Sequence, residues 1–355
     1  MDNKKYLPRI IDRAVENHLS AFGAVCIEGA KWCGKTWTAS NHSNSKVYLG
    51  DPSGNFQNKS LAKLDPKLVL EGDPPRLIDE WQEVPEIWDA VRFEVDQRGK
   101  KGQFILTGSA TPAQKGILHS GAGRISTLRM RPMSLYESKD STGQISLEEL
   151  CNGGYKNLIV EEASLEQIIK LIIRGGWPDS LNLNESQYTI ISRGYLDAII
   201  NHDIYRLEGI SRNTRKMNLL LRSLARNEST TVSMNTLKKD IKEIDDEDID
   251  NDTISVYLTL FERMFLIENQ KAFSSNIRSS TRIKQTDKRH FVDPSLACAL
   301  LNASKEMLIN DLNTLGFLFE ALCERDLRIY AESFNANIFH YQDYDGDEID
   351  AVLEL

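Results

Sequence analysis

The chain has 355 residues, of which 41% are hydrophobic and 27% are charged, and its formal net charge at pH 7 is −9. This length is too great for one ordinary hydrophobic core, so we predict a globular protein of two or three domains. The acidic balance excludes a protein that attracts nucleic acid over its whole surface, and any contact with DNA requires a local basic patch.

The cysteines and the apolar segments favour a reducing compartment. The chain has five cysteines, an odd number, and no pair has the C-x-x-C spacing of a zinc site. The first residues lead into a mixed segment rather than into the apolar part of a signal peptide. No apolar run approaches the ~18 residues that cross a membrane. We therefore expect a cytoplasmic protein without membrane contact.

The first predicted element is a helix. Apolar side chains recur at helical spacing between residues 6 and 21, which predicts a helix that packs onto a sheet. We interpret Arg9 and Arg13 as solvated charges on this helix.

A phosphate-binding loop follows. Residues 24–36, AVCIEGAKWCGKT, contain an apolar run and then the pattern G-x-x-x-x-G-K-[ST]. In such a loop the glycines turn successive N–H groups inward, the lysine faces the β- and γ-phosphates, and the hydroxyl ligates Mg²⁺. We predict an ATP or ADP site with Thr36 as a Mg²⁺ ligand, against an accidental Gly-rich turn. The predicted binding residues are Gly29, Ala30, Lys31, Trp32, Cys33, Gly34, Lys35, Thr36 and Trp37.

This site leads to two further expectations. The alternative interpretation of Arg9 and Arg13 is that they contact the nucleotide base. Cys33 is expected to make the site sensitive to thiol alkylation, with ATP protecting it.

Two segments after the loop extend the sheet. Residues 46–50 are predicted as a second strand that the turn 51–54 closes, and residues 68–70 are predicted to extend the same layer.

The strand at residues 75–82, PRLIDEWQ, ends in two adjacent carboxylates. At the carboxyl end of a parallel strand, Asp79 can hold Mg²⁺ through water while Glu80 activates the water that attacks the γ-phosphate. An acidic strand end that caps the next helix is the alternative, but the upstream phosphate loop favours catalysis.

A helix from Pro85 to about Arg98 and a buried strand at 103–109 follow. Thr107 or Ser109 at the end of this strand is predicted to sense the γ-phosphate or to orient the water, with strand-end capping as the alternative. Residues 121–132 then carry three arginines on a strand. Arg124, beside glycines, is the candidate for a transition-state arginine, and Arg129 and Arg131 are interpreted as protective charges on an edge strand.

The segments GAKWCGKT, LIDE, FILTGS and GAGRISTLRMRPMSLYE together resemble prokaryotic AAA-type ATPases that carry a C-terminal domain of unknown function. The resemblance spans nearly the whole chain. It implies a RecA/AAA-like α/β core with a parallel sheet and flanking helices. A helical segment, a winged helix and a restriction-endonuclease-like module are implied after the core.

The polar residues 138–162 predict an excursion or linker before helices resume at Leu165. The segment Arg174-Gly-Gly-Trp-Pro178 then interrupts a helical pattern. Similarity to related signalling ATPases implies that Pro178 lies against the adenine and that Arg174 is a second phosphate sensor. A plain interdomain turn is equally compatible with the residues.

A winged helix is predicted from helices at 217–226, 234–241 and 253–264 and a strand at 265–267. The acidic residues between 240 and 252 would repel a phosphate backbone next to the third helix. The basic segment 271–290, where a wing is expected, is the candidate for DNA contact, and an unknown protein partner is the alternative.

The last segment resembles the start of a PD-(D/E)xK nuclease, with Glu320 and Asp350 matching its helix carboxylate and its first metal-binding Asp. The strand that supplies E-x-K is missing because the chain stops at Leu355. The nearest preceding lysine, Lys305, lies in a different predicted element. We therefore expect no nuclease activity with Mg²⁺ or Mn²⁺.

The expected organisation is an ATPase core over 1–137, a linker and helical segment over 138–205, a winged helix over 206–275, and an incomplete nuclease-like module over 276–355. The predicted function is slow Mg²⁺-dependent ATP hydrolysis coupled to domain rearrangement. The alternatives are a DNA-processing ATPase and a DNA-binding regulator with a vestigial ATP site. The three segments after the core argue against a small-molecule kinase.

Overall fold

The computed structural model describes residues 6–111, 117–154, 162–205, 213–245, 249–276, 278, 285–343 and 346–355. The chain divides into two compact units, Met1–Arg131 and Pro132–Leu355. The finer division of the second unit stays a prediction. No helix among the described residues is both long and apolar enough to span a membrane.

The first unit is built on a parallel sheet of five strands, as the sequence predicts. The strands lie in the order β2-β3-β4-β1-β5, and every neighbouring pair is parallel. Their bounds are β1 Ala24–Gly29, β2 Ser45–Tyr48, β3 Arg76–Asp79, β4 Phe104–Gly108 and β5 Ile125–Met130. Because these strands are parallel and β1, β4 and β3 are neighbours, the segments that follow β1, β3 and β4 emerge at the same edge of the sheet.

In the described part of this unit, the helices that accompany the sheet are α1 Ile11–Ala21, α2 Lys35–Asn41, α3 Ser53–Leu64, α4 Lys67–Leu70 and α5 Ile87–Arg98. The interpretation of residues 68–70 as part of the sheet is wrong, because they belong to α4. Pro66 has a helical backbone there, and the Asp65 carboxylate accepts from the N–H of Lys67 over 3.0 Å, which starts a helical turn.

The core of the first unit lies on both faces of the sheet. On one face, Cys26, Ile78 and Leu106 of the three central strands are register partners and are fully buried. On the other face, the residues that precede them, Val25, Leu77 and Ile105, are also fully buried, as expected for strands that helices cover on both sides. Trp81 and Trp88 pack against each other with ring centroids 4.9 Å apart. This core holds the ends of β3 and β4 in register with the loop after β1.

The described residues of the second unit form helices and, from residue 267 onward, two short antiparallel sheets. Its helices are α6 Leu147–Cys151, α7 Leu165–Arg174, α8 Tyr188–Ala198, α9 Thr214–Arg226, α10 Met234–Asp245, α11 Asn251–Arg263, α12 Pro294–Leu301, α13 Lys305–Asn310 and α14 Leu312–Glu332. A π-helical turn, Ile199–Asp203, continues α8. Strands β6 Ile267–Gln270 and β7 Lys288–Phe291 pair antiparallel, as do β8 Asn337–Gln342 and β9 Glu348–Glu354. Among the described residues from 214 to 291 there are three helices and an antiparallel strand pair, and their identity as a winged helix stays a prediction.

The interruption after α7 is a tight turn that packs against the backbone of Met133 and the side chain of Asp293. A Cβ on Gly176 would lie 2.1 Å from the carbonyl oxygen of Met133, and one on Gly175, whose φ is +70°, would lie 2.4 Å from Asp293. Only glycine fits at both positions. Arg174 is buried and donates to both carboxylate oxygens of Asp140, so its charge is already paired within this unit.

Candidate nucleotide site

The loop between β1 and α2 is shaped by close backbone contacts. Gly29 has φ +156°, and a Cβ there would lie 1.9 Å from the carbonyl oxygen of Met130 at the end of β5. Gly34 has φ +106° directly before α2. These two positions therefore need glycine for a local reason that does not depend on any ligand.

Lys35 begins α2 and is buried, with 4% of its surface exposed. Its Nζ donates to the carbonyl oxygen of Ala30 over 2.8 Å, so the side chain runs back across the loop that the sequence assigns to phosphate. An ammonium group held over a loop in this way is placed to bind phosphate oxygens.

Thr36 and Asp79 meet although they lie on different elements. The Thr36 hydroxyl donates to Oδ1 of Asp79 over 2.8 Å, and the Thr107 hydroxyl donates to the same oxygen over 2.7 Å. Burial raises the pKa of Asp79, which these two hydroxyl donors partly offset. A hydroxyl and a carboxylate in contact form the oxygen donor set that Mg²⁺ prefers, so the residues fit this ion.

Glu80 follows β3 in the left-handed region, with φ 59° and ψ 51°, an uncommon conformation for a residue other than glycine. Its N–H donates to the Thr107 hydroxyl over 3.0 Å. Its carboxylate oxygen Oε2 accepts from the Ser109 hydroxyl over 2.7 Å and from the side-chain amide of Gln82. The ends of β3 and β4 therefore present Asp79 and Glu80 beside Thr107 and Ser109.

The structure does not bring Arg124 to these residues. Its carbonyl accepts from the N–H of Ala24 at the start of β1, whereas the loop follows the end of β1. At about 3.3 Å per residue, this strand separates the two positions by roughly 16 Å. The exposed guanidinium of Arg124 donates to Asp96 over 2.8 Å. The Gly-rich turn before β5 thus lies at the opposite sheet edge, so Arg124 does not reach the loop after β1 of its own chain, and its role as a transition-state arginine stays a prediction.

The remaining loop residues fall into two groups. Trp32 and Trp37 each expose 52% of their surface beside the loop, and the φ of Trp32 is +62°. Lys31, which precedes Trp32, is half-buried. Cys33 is fully buried, and its thiol lies 3.6 Å from the carbonyl oxygen of Met130. Because burial hides the thiol, the structure argues against the expected alkylation of Cys33.

Arg9 is a loop residue that sequence patterns placed on a solvated helix face. The helix begins only at Ile11, and the buried guanidinium of Arg9 donates to the carbonyl oxygens of Cys33 and Arg131 over 2.7 and 2.9 Å. Periodicity carries no signal for this contact because Arg9 precedes the helix.

Pro178 lies in the second unit, where it begins a short 3₁₀ turn, Pro178–Ser180. The preceding Trp177 is buried, and its indole N–H donates to Ser295 over 2.9 Å. These contacts account for the turn within its own unit, and the adenine contact of Pro178 stays a prediction.

Glu320 and Asp350 also come together in the second unit, around a lysine that sequence reasoning missed. Nζ of buried Lys288 on β7 lies 2.8 Å from Glu320, 2.6 Å from Glu348 and 3.0 Å from Asp350. Lys305 is the nearest preceding lysine in the sequence, but in the fold the lysine that contacts these carboxylates is Lys288, which precedes them by more residues. Within the described ranges, no group of His, Cys, Asp and Glu side chains is arranged to hold a metal ion.

The burial of Lys288 lowers the positive charge that the basic segment 271–290 presents to solvent. Lys288 is buried among carboxylates, and Arg289 donates to the carbonyl oxygen of Val232 over 2.5 Å. Lys271 and Arg278 are exposed, whereas Arg282 and Lys284 lie outside the described residues. Lys288 and Arg289 are thus engaged within the protein rather than presented to DNA.

Two family models match separate parts of the chain. Residues 21–139 match a model described as an AAA domain, and residues 165–307 match a domain of unknown function, DUF8612. The predicted order, an AAA-type domain followed by a domain of unknown function, is confirmed. The nuclease-like and winged-helix identities stay predictions.

Related proteins and structures are similar at low identity. The uncharacterized proteins Rv2008c of Mycobacterium tuberculosis and Mb2031c of Mycobacterium bovis are each 22% identical over 294 residues, which is 82% of this chain and 58% of theirs. The chain thus spans less than two thirds of the length of these relatives.

Among solved structures, the Walker-type ATPase PABY2304 of Pyrococcus abyssi is similar with a TM-score of 0.49 at 14% identity, over 84% of this chain and 97% of that one. AMPPCP-bound DnaA from Aquifex aeolicus has a TM-score of 0.32 at 14% identity, over 71% of this chain and 86% of that one. The segment 21–139 therefore matches an AAA domain by its sequence and contains the parallel sheet that a P-loop ATPase core requires.

Proposed function

We propose that the protein is a Mg²⁺-dependent ATPase that couples ATP binding or hydrolysis to a rearrangement of its domains. The observation that supports this most is the meeting of Thr36 and Asp79 at 2.8 Å, beside Lys35 on one side and Glu80 on the other. Phosphate binding, metal binding and water activation require these three kinds of group at one edge of a sheet.

Each residue has a distinct role in this proposal. Lys35 and the N–H groups of the loop bind the phosphates of ATP, while Thr36 and Asp79 hold Mg²⁺, which neutralises charge on the phosphates. Glu80 accepts a proton from the attacking water, and Thr107 orients Asp79 and the backbone of Glu80 through two hydrogen bonds. No residue of the described site in the first unit fills the role of a transition-state arginine.

Contacts at the end of β5 supply a route for coupling. Gly29 packs against the carbonyl of Met130, and Arg9 bridges the carbonyl oxygens of Cys33 and Arg131. Arg131 is the last residue of the first unit. A displacement of the loop on nucleotide binding therefore acts directly on the segment by which the chain leaves this unit.

Calorimetry and an ATPase assay test the proposal. The unaltered protein should bind ATP with Mg²⁺ and release phosphate slowly. Lys35→Ala should abolish high-affinity binding, while Glu80→Gln should retain binding and lose most of the turnover, leaving a slow residual rate that single-turnover assays can measure. Lys63→Ala, which changes an exposed lysine of α3, serves as the control. Unchanged ATP affinity in Lys35→Ala would contradict the site assignment.

A DNA-processing or DNA-binding ATPase is the alternative function. The engagement of Lys288 and Arg289 inside the second unit leaves less positive charge for DNA than the sequence suggests. Repeating the ATPase assay with double-stranded DNA decides between the two, because a DNA-processing ATPase would show stimulated turnover.

A further inference from the structure

The carboxylate of Glu80 is held on one side only. Both of its hydrogen bonds, from Ser109 and from Gln82, end on Oε2. The Gln82 amide nitrogen also lies 3.1 Å from the Ser109 hydroxyl, so the three side chains form a closed triangle. Among the residues that the structure describes, no group donates to Oε1 of Glu80.

The backbone explains why Gln82 reaches Glu80. In an extended strand, residues two apart point the same way but lie about 6.6 Å from each other. The left-handed conformation of Glu80 instead turns the chain into the 3₁₀ helix Trp81–Glu83. This turn folds the Gln82 side chain back onto the carboxylate, and the Glu80 N–H bonded to Thr107 holds the turn in place. A left-handed backbone conformation costs free energy in a residue other than glycine, and the stabilisation from these contacts offsets that cost.

In the Gln82 amide, the nitrogen is hydrogen-bonded and the oxygen is not, within the part of the chain that the structure describes. Its nitrogen serves Glu80 and Ser109, whereas its oxygen is buried without a hydrogen-bond partner in the described part of the chain. A buried acceptor of this kind is normally satisfied, and a water molecule beside Glu80 would satisfy it.

We propose that Gln82 is a positioning residue for the Glu80 base, an inference that rests on the proposed ATPase function. With Ser109, it fixes Oε2 and leaves Oε1 to take the proton of the attacking water. In that step the water oxygen bonds to the γ-phosphorus and the bond from this phosphorus to the ADP oxygen breaks. The proton passes to Oε1, and the products are ADP and inorganic phosphate.

Gln82→Met tests this inference because methionine keeps the length of the side chain and removes the amide. The turnover number should fall about tenfold or more, since small displacements of a catalytic group have effects of this size, while ATP affinity stays unchanged. Gln97→Met on α5 is the matched control, because Gln97 is exposed in the same unit. Ser109→Ala should also lower turnover, whereas Ser109→Thr keeps the hydroxyl and should retain turnover. These two variants test the hydrogen bonds among Glu80, Gln82 and Ser109 if Gln82→Met does not fold.

A double-mutant cycle separates positioning from a general structural effect. If Gln82 acts through Glu80, then Gln82→Met should cause no further loss in single-turnover hydrolysis when Glu80→Gln is already present. Equal or faster turnover by Gln82→Met alone, or a fully additive loss in the double variant, would overturn the inference. Absence of turnover by the unaltered protein would overturn the proposed ATPase function as well, so the two failures are distinguishable.

Discussion

The Thr107 hydroxyl donates to Oδ1 of Asp79 over 2.7 Å, although 28 residues separate them in the chain. The same hydroxyl accepts from the N–H of Glu80 over 3.0 Å, so it ties the end of β4 to both carboxylate residues after β3. Thr107 is fully buried, so water cannot replace these bonds at low cost.

Thr107→Val should therefore impair the site more than its small change in volume suggests. The variant leaves the Glu80 N–H and the Asp79 oxygen each without a partner, and we expect a loss of about 1–3 kcal/mol in the free energy of unfolding. Turnover should fall in parallel, because both carboxylates lose an orienting contact. Denaturant unfolding and an ATPase assay measure the two effects. Thr127→Val, on an exposed position of β5, should change neither.

Arg9→Met should destabilise the loop between β1 and α2. The substitution leaves the carbonyl oxygens of Cys33 and Arg131 without their buried donor, which should weaken ATP binding and lower the free energy of unfolding by about 1–3 kcal/mol. Calorimetry with Mg-ATP checks the first effect and denaturant unfolding the second. Arg13→Met removes an exposed arginine of the same helix region and should leave both unchanged. Equal ATP affinity in the two variants would refute the role of Arg9.

Lys288→Met should destabilise the second unit. It leaves Glu320, Glu348 and Asp350 facing one another without a cation. Because Glu348 and Asp350 are 41% and 58% exposed, solvent screens part of this repulsion, and we expect a loss of about 1–3 kcal/mol. Thermal unfolding of the full chain measures it. Lys305→Met, which breaks only the exposed pair with Glu166, should have a smaller effect.

We still expect no nuclease activity, but the reason is the position of Lys288 rather than the lack of a lysine. A lysine does lie beside Glu320 and Asp350, but its ammonium occupies the space between the carboxylates that a metal ion would need. Supercoiled plasmid incubated with the protein, Mn²⁺ and ATP should therefore stay intact. Nicking that disappears in Asp350→Ala would overturn this expectation.

Stability should fall as the pH rises through the pKa of His290. Burial opposes the charged form, but the carboxylates of Glu324 and Glu228 raise the pKa of His290 above its usual value in the folded protein. A raised folded-state pKa stabilises the protein fully below the unfolded value of about 6.5 and loses this effect as pH rises through the folded value.

Burial raises the pKa of Glu228, which acts in the same direction. Unfolding midpoints measured from pH 6 upward should therefore decline, and His290→Gln should flatten the decline. A midpoint of the unaltered protein that rises over this range would contradict the assignment.

The sequence alone was sufficient for the local parts of this protein. The phosphate loop, the strand that ends at Asp79 and Glu80, and the strand that ends at Thr107 are each encoded by a short contiguous pattern, and the parallel sheet follows from their apolar runs. Their meeting at one sheet edge could be expected because parallel strands point their carboxyl ends the same way.

Only the tertiary structure decided which distant side chains share a contact. Arg124 lies at the start of β5, far from the loop, and Arg9 reaches the loop from outside its helix. Lys288 on β7 contacts carboxylates of α14 and β9, two elements with which its strand is not paired. Periodicity reports which face of an element is apolar, but it carries no information about the partner of a buried charge. That choice depends on packing between elements far apart in the chain, where burial makes an unpaired charge costly.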